Sequence, residues 1–399
     1  MDLSWNIRAR YTFFSAYVFG FAQSLGPLIR FDSNSSTHDH ISTSLEAVSL
    51  AFTAVQLHNP VLLHIARAAY VTAIQRLSHA IDVLSSSVVE ETLQSILLLD
   101  MYEKMINAYH QDKPSWMSHI QGAMSLLASH TQQLSSSSSG CKLVGRLSTA
   151  LIVSCGALAI PVPPALMTLR QQFDPVMTSV KWSFQGLLAC VIELQADLRN
   201  AGGQCTVDLA ERAEQLDTQL VDLQSKLPRS WQPQQVSPVR PNPLIFSTHY
   251  EIYPDHYITQ VTNGIRVARL MLHIILKDSP ISLSNFNIHR GIMIRIRDIT
   301  SQICATIPQF ILPGVRASNT VPFSLLQSLQ CRILLAPLYI TNHISCDTAM
   351  QDWLQCCLKY MAEMGGMKAA KDVAEMMRTK PKLEYWFVYA LVGSYAFAA

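Results

Sequence analysis

The chain has 399 residues, of which 49% are apolar and only 15% charged. This balance excludes a disordered protein and predicts a large buried core. Thirty Lys and Arg against 28 Asp and Glu leave a net charge of +2, which is too small for nucleic-acid binding through charge alone.

The first 42 residues are aromatic rather than basic, and we expect them to form a partly ordered N-terminal segment. Within them, residues 11–29 are uncharged and follow Arg8 and Arg10, as the apolar region of a signal peptide would. The stretch also carries Tyr, Gln and Ser side chains and lacks a small-residue cleavage site, so it does not predict export. Residues 43–399 are expected to form one helical domain.

Capping residues indicate where several helices begin. Thr43 and Glu46 have the spacing of a capping box, and the same spacing recurs from Ser87. Asn59 followed by Pro60 is a second kind of start, an N-cap before a proline that needs no hydrogen-bond partner for its nitrogen. The helices predicted from these signals and from apolar periodicity lie at about residues 43–57, 60–84, 88–109, 115–130, 141–159, 179–201, 206–226, 255–277, 286–306, 324–343, 347–364 and 367–378. No alternating β pattern bounded by hairpin turns is found, so the fold class is all-α, an array of about 12 helices without significant sheet.

Three segments rich in Ser or Pro interrupt this pattern. The serine run at residues 135–139, followed by a glycine, predicts a flexible surface loop. Residues 228–243 contain five prolines and predict a loop that links the helices on either side. Residues 147–169 are uncharged, but the prolines at 161–164 break them before they reach the length of a bilayer span. We therefore predict a buried core helix there, and no membrane span.

The nine cysteines are scattered along the chain, at Cys141, Cys155, Cys190, Cys205, Cys304, Cys331, Cys346, Cys356 and Cys357. An odd number without a repeated spacing predicts free thiols in a reducing compartment, the nucleus or the cytoplasm. The C-x-x-C pairs that hold structural zinc do not occur. No cofactor is therefore expected, and no metal.

A search for catalytic motifs leaves one acidic pair, Asp100 and Glu103, one turn apart on a leucine-rich helix. Two carboxylates in this arrangement could hold Mg²⁺, which prefers oxygen ligands. Alternatively, Asp100 pairs with Lys104 four residues later, and Glu103 pairs with an arginine elsewhere.

Two further charged patterns lie later in the chain. The first is a polar stripe along the predicted helix at 255–277, made of Asn263, Arg266, Arg269 and His273. Its arginines could bind a phosphate group, or they could pair with buried acids of a neighbouring helix. The second is a set of acids at steps of three, which we interpret as a solvent-facing edge of the helix at 206–226: Asp208, Glu211, Glu214 and Asp217.

The sequences ILLLDMYEKM (residues 96–105) and SWMSHIQGAMSLL (residues 115–127) resemble the signature of the fungal-specific transcription factor domain. The matching positions are Tyr102, Glu103, Trp116, His119, Gly122 and Ala123. The stripe at 263–273 is similar to the Asn-x-x-Arg-x-x-Arg helix of that family, with matches at Asn263, Arg266, Arg269, Leu272 and His273. The resemblance covers the chain from about residue 43 onward, and it assigns these residues a structural role in the family motif.

The resemblance implies a fungal transcriptional regulator, expected to control a secondary-metabolite gene cluster. Such regulators usually carry an N-terminal zinc cluster of six cysteines that reads DNA, whereas no cysteine precedes Cys141 here. We therefore expect this chain alone not to bind DNA sequence-specifically. Its expected partners are other proteins or a small-molecule effector, and a homodimer is left open.

A second resemblance implies an enzyme. The unconventional fungal humulene synthases, which are sesquiterpene cyclases, also depart from the familiar cyclase motifs. In that interpretation Asp100 and Glu103 would hold Mg²⁺, while Arg266 and Arg269 would bind the diphosphate of farnesyl diphosphate.

Overall fold

The computed structural model describes residues 4–31, 39–82, 88–106, 114–380 and 383–392. These residues form eighteen α-helices and two three-residue strands, so the predicted all-α fold is confirmed. The helix number exceeds the predicted twelve because the chain has six short helices of 4–10 residues in addition to the longer ones. Such short helices lack enough turns to show a hydrophobic period. The contacts divide the chain into two compact units.

The first unit contains the described residues up to Ser154 together with Pro163–Thr178. Its helices are α1 (Trp5–Thr12), α2 (Asp39–Leu57), α3 (Pro60–Asp82), α4 (Val89–Ile106), α5 (Pro114–Ser129), α6 (Thr131–Ser135), α7 (Ser138–Leu158) and α8 (Pro164–Phe173). A π-helical segment, Phe13–Phe19, and a 3₁₀ segment, Gln23–Phe31, follow α1. The last four residues of α7 belong to the second unit.

The second unit contains Cys155–Val162 and Ser179–Val392. Its elements are α9 (Val180–Asn200), α10 (Val207–Ser225), β1 (Gln234–Val236), β2 (Tyr250–Ile252), α11 (His256–Lys277), α12 (Pro280–Ser284), α13 (Phe286–Ala305), α14 (Pro308–Ile311), α15 (Leu325–Ile344), α16 (Thr348–Gly365), α17 (Lys368–Thr379) and α18 (Tyr385–Leu391). The strands are antiparallel, with Gln234 opposite Ile252. One of them, β1, lies within the proline-rich segment at 228–243.

The core of the first unit is built around α2, which packs against α1, α3 and α4. Leu45, Val48 and Phe52 of this helix have no exposed surface. The ring of Phe52 meets those of Phe13 and Tyr17 at centroid distances of 5.7 and 5.5 Å. The apolar stretch at 11–29 therefore contributes to this core.

The core of the second unit is built around α11, which packs against α9, α10, α13 and α15. Several of its long neighbours begin at a side-chain cap that accepts a backbone N–H, and these caps are Ser179, Thr206 and Ser324. Asp255 caps α11 itself. These are the Ser, Thr and Asp types favoured at helix starts, and for this reason the boundaries predicted from sequence agree with the structure within one or two residues.

The predicted starts in the first unit have different outcomes. Asn59 does cap α3, because its Oδ1 accepts the N–H groups of Val61 and Leu62 at 3.0 and 3.1 Å. The capping box at Thr43 is wrong, since α2 already begins at Asp39 and the Thr43 hydroxyl donates to the Asp39 carbonyl inside the helix. Ser87 lies outside the described residues.

The serine run at 135–139 is not the flexible loop that its composition predicts. Ser135 ends α6, and α7 begins at Ser138. The Ser137 hydroxyl donates to Glu90 Oε1 at 2.6 Å, and Ser139 donates to the other oxygen of the same carboxylate. The serines are ordered because this carboxylate gives their hydroxyls a common acceptor.

The uncharged stretch at 147–169 contains the end of a core helix, as predicted. Helix α7 ends at Leu158, and α8 begins at Pro164, so the prolines separate the two helices. Among the described residues, α7 is the one helix that is long and apolar enough to cross a membrane. In its most apolar window, 56% of the residues are buried inside the protein, as in a core helix.

Candidate functional site

The predicted acidic pair lies on the most buried part of α4. Every residue from Ser95 to Met105 is buried, which includes Asp100, Glu103 and Lys104. Lys104 Nζ donates to Asp100 Oδ2 at 2.7 Å, one helical turn away. Because both side chains are removed from water, this pair is a fixed part of the packing.

Glu103 is held from the neighbouring helix α3. The Tyr70 hydroxyl donates to Glu103 Oε1, and the Tyr70 ring stacks on Tyr102 with centroids 4.2 Å apart. Burial and the Glu103 carboxylate raise the pKa of Tyr70 far above its usual value, and burial raises the pKa of Tyr102 to about 12. Both phenols therefore stay protonated at neutral pH, and Tyr70 remains a hydrogen-bond donor to the buried carboxylate.

The two carboxylates of the acidic pair thus have donors within the first unit. Among the described residues, no group of three or more His, Cys, Asp and Glu side chains is placed to hold a metal ion. The binding of Mg²⁺ by Asp100 and Glu103 stays a prediction, to be tested by experiment.

On α11, Arg266 lies at the centre of a buried polar cluster. Its Nη2 donates to the Tyr253 hydroxyl at 3.1 Å and lies 3.4 Å from Glu251 Oε2. Its Nη1 donates to Asn263 Oδ1 at 3.1 Å. The amide of Asn263 in turn donates to Thr306 Oγ1 at 2.9 Å. Burial raises the pKa of Tyr253 to about 12, so this phenol keeps its proton.

Arg269 pairs with a buried acid of the neighbouring helix α10. Its Nε donates to Asp217 Oδ1 at 2.7 Å. The Nε2 atom of His273 lies 3.4 Å from the second oxygen of the same carboxylate. Burial lowers the pKa of His273 to about 4, so the imidazole is neutral at pH 7. The two motif arginines therefore have acid partners within the second unit, Glu251 and Asp217.

Asp217 does not belong to a solvent-facing acidic edge, so that prediction is wrong for one of its four residues. Asp208, Glu211 and Glu214 are exposed as expected, whereas Asp217 is buried. Each step of three residues turns a helix by about 300°. After three such steps Asp217 lies on the opposite side of α10 from Asp208, and that side faces α11.

The remaining motif positions lie on α5 and α11. The side chains of Trp116 and His119 lie outside the described residues. Gly122 has open space where a side chain would begin, whereas Ala123 is buried. Leu272 has no exposed surface. Apart from Gly122, the motif positions whose side chains the structure describes thus take part in the packing of the two units.

A small cleft in the first unit was not predicted from the sequence. It holds about 390 Å³ of space, its open mouth included. Arg146 Nη1 donates to Gln94 Oε1 at 2.8 Å in its wall, and burial lowers the pKa of Arg146 to about 10. The residues that line it are Ser24, Leu25, Pro27, Leu28, Phe31, Glu90, Gln94, Ser139, Lys142, Leu143 and Arg146. They come from three distant segments, and none of these segments contains a recognisable motif.

Together, these observations define a helical scaffold in which the charged residues of the acidic pair and of the polar stripe bond to partners within their own unit. The family described as fungal specific transcription factor domain matches residues 35–376. The chain therefore belongs to this family, as the motifs at 96–127 and 263–273 predicted. No curated protein and no solved structure matches the chain. The resemblance to sesquiterpene cyclases has no support from these comparisons.

Proposed function

We propose that the chain is the regulatory module of a fungal transcriptional regulator, and that it acts through a protein partner or a small-molecule effector. One observation carries this proposal. The charged residues of the acidic pair and the two arginines of the polar stripe are bonded inside their own units: Asp100 to Lys104, Glu103 to Tyr70, Arg266 to Glu251 and Arg269 to Asp217. The residues that identify the family thus build a scaffold, and its surfaces are left to make the regulatory contacts.

The charge distribution supports action through partners. Sequence-specific DNA recognition needs a basic surface and an element that enters a groove. Here the net charge is +2, and Arg266 and Arg269 are turned into the second unit. We propose that this chain alone binds DNA weakly and without sequence preference. A gel shift that is sequence-selective and resists salt would contradict this part of the proposal.

A tethering assay tests the regulatory role directly. The full chain is fused to a heterologous DNA-binding domain and expressed in a fungal host with a reporter downstream of the matching site. We expect reporter expression to change severalfold relative to the DNA-binding domain alone. Immunoblotting and a nuclear-localisation signal on every fusion keep amount and location constant. An unchanged reporter at equal nuclear protein levels would contradict the proposal.

We further propose that the regulated genes form a secondary-metabolite gene cluster and that the chain works in the nucleus. The nuclear location is supported by the family, which is described as a fungal specific transcription factor domain. Transcript profiling of a deletion strain tests the first proposal, because a cluster of neighbouring genes should change together. Imaging of the tagged chain at its native level tests the second.

A further inference from the structure

One surface of the second unit exposes large apolar side chains beside cations. We call it the α12–α13 face and define it by Leu283, Phe286, Arg290, Ile294 and Arg297. The exposed fraction is 71% for Leu283 and 76% for Phe286, and Ile294 is 42% exposed. Such exposure of neighbouring large apolar groups is uncommon on the surface of a protein that acts alone.

Helix geometry places four of these residues on one side of α13. Phe286, Arg290, Ile294 and Arg297 follow each other at i, i+4, i+8 and i+11, which spans an arc of about 80° and a length of about 17 Å. The helix buries a different stripe, made of Ile292, Ile296, Ile299 and Ile303. The exposed apolar side chains therefore take no part in the packing of α13 against its own unit.

The charges on this helix are mainly positive. Arg290, Arg295 and Arg297 are exposed, and Asp298 is the one acid of α13. Arg297 Nε lies 4.0 Å from Asp298 Oδ1 in a solvent-exposed contact, which contributes little stability. Among the described residues, neither Arg290 nor Arg295 has an acid within salt-bridge distance. A partner that brings carboxylates would complement this face.

We propose that the α12–α13 face binds an acidic amphipathic helix of a partner protein. The apolar side of the partner helix covers Leu283, Phe286 and Ile294, while its flanking carboxylates pair with Arg290 and Arg297. A length of about 17 Å matches three turns of a partner helix. The face carries two cations, Arg290 and Arg297, which are fewer than the clusters of about four to eight that bind anionic membranes, and this favours a protein helix over a membrane or a nucleic acid. This inference deepens the proposed function, because it names the chemistry of the partner.

Fluorescence anisotropy with the purified full chain tests the proposal. The probe is a labelled helical peptide of roughly 16 residues, with Leu at i, i+3, i+4 and i+7 spacing and Glu beside them. We expect saturable binding that weakens at higher salt, and about tenfold weaker binding for Phe286→Ser. The matched control is Val61→Ser, because Val61 is an exposed (68%) apolar residue of the first unit. It should bind the peptide as the unchanged chain does.

A charge swap gives the second arm of the experiment. Arg290→Glu with Arg297→Glu should lose the Glu peptide and gain binding to the same peptide with Lys in place of Glu. Since these side chains are exposed, circular dichroism should show an unchanged fold. Equal binding of the Glu peptide by the unchanged chain, Phe286→Ser and the charge-swap variant would overturn the proposal. The proposal would also be overturned if the unchanged chain bound vesicles of anionic lipid but not the peptide, and if Phe286→Ser lost that vesicle binding.

The reporter fusion separates this proposal from the proposed function. If peptide binding depends on Phe286 but neither the fusion nor its Phe286→Ser variant changes the reporter, the face stands and the regulatory role fails. If the fusion changes the reporter and Phe286→Ser leaves both the reporter and peptide binding unaltered, the regulatory role stands and this face is not its contact surface.

Discussion

Removal of the Asp217 carboxylate tests whether the α10–α11 ion pair is structural. In the folded chain Asp217 accepts a hydrogen bond from Arg269 Nε at 2.7 Å, and the exposed fractions of the two side chains are 10% and 14%. Asp217→Ala leaves the guanidinium with Gln224 Oε1 at 3.4 Å as its remaining partner in this contact. Breaking a buried pair from one side costs about 3–5 kcal/mol. Because Arg269 keeps some exposure and one neutral acceptor, we expect about 3 kcal/mol.

Urea unfolding followed by tryptophan fluorescence measures this loss. The second unit contains α10 and α11 and also four of the six tryptophans, Trp182, Trp231, Trp353 and Trp386, so the signal chiefly follows that unit. Asp222→Ala is the matched control, because Asp222 lies on the same helix and its pair with Lys226 is exposed on both sides. We expect this control to change the free energy of unfolding by about 0.5 kcal/mol or less.

A double variant distinguishes lost pairing from lost packing. Asp217→Leu combined with Arg269→Met replaces both charges by apolar groups, which is often neutral or stabilising. We expect it to unfold at a higher urea concentration than Asp217→Ala. The reasoning would be refuted if Asp217→Ala lowered the free energy of unfolding by less than about 1 kcal/mol. It would also be refuted if the double variant were less stable than both the unchanged chain and Asp217→Ala.

Four further predictions concern titration, packing, catalysis and metal content. His273 has a folded pKa of about 4 against an ordinary 6.5, so the unfolded chain takes up its proton first as the pH falls. From pH 7 to pH 5 the free energy of unfolding should therefore fall by about 2 kcal/mol more in the unchanged chain than in His273→Leu. Urea unfolding at the two pH values measures this difference, and equal falls in the two proteins would contradict the prediction. Gly264→Ala should destabilise the protein by about 1–3 kcal/mol, because the new Cβ would lie 2.9 Å from the Phe184 ring. Gly291→Ala should stabilise it by up to about 1 kcal/mol, because no atom lies within 4 Å of the new Cβ. Thermal unfolding measures both changes. Incubation with farnesyl diphosphate and Mg²⁺ should give no hydrocarbon by gas chromatography, and product that disappears in Asp100→Ala would establish the cyclase instead. Elemental analysis should find less than one zinc per chain, since the sequence has no cysteine spacing for a closed zinc site, and two zinc ions per chain would refute it.

The long helices could be predicted from sequence because their signals are local. Asn59 before Pro60 gives the start of α3 correctly, since the cap and the proline act on the residues beside them. The signal at Thr43 is equally local, yet the helix begins earlier, because a threonine hydroxyl can also bond to a carbonyl inside a helix. Residue type alone does not distinguish these two uses of the hydroxyl.

The charged clusters were predicted less well because their partners are distant in sequence. Asp100 with Lys104 follows from helix spacing, and the structure contains that pair. Tyr70 as the donor to Glu103 could not be predicted, since the two residues meet through the packing of α3 on α4. The same reason applies to Asp217, whose side of α10 becomes the inner side when α11 packs against it.

The order of the segments along the chain constrains how the protein is made and inherited. Along the sequence, Cys155–Val162 belong to the second unit, whereas the next segment, Pro163–Thr178, belongs to the first. A polypeptide released from the ribosome up to residue 154 therefore lacks α8, which packs against α6 and buries Leu166 and Phe173. The first unit cannot be completed until synthesis has passed residue 178. For the same reason a single crossover in the gene after residue 178 would carry Cys155–Val162 away with the first unit and leave the second unit incomplete.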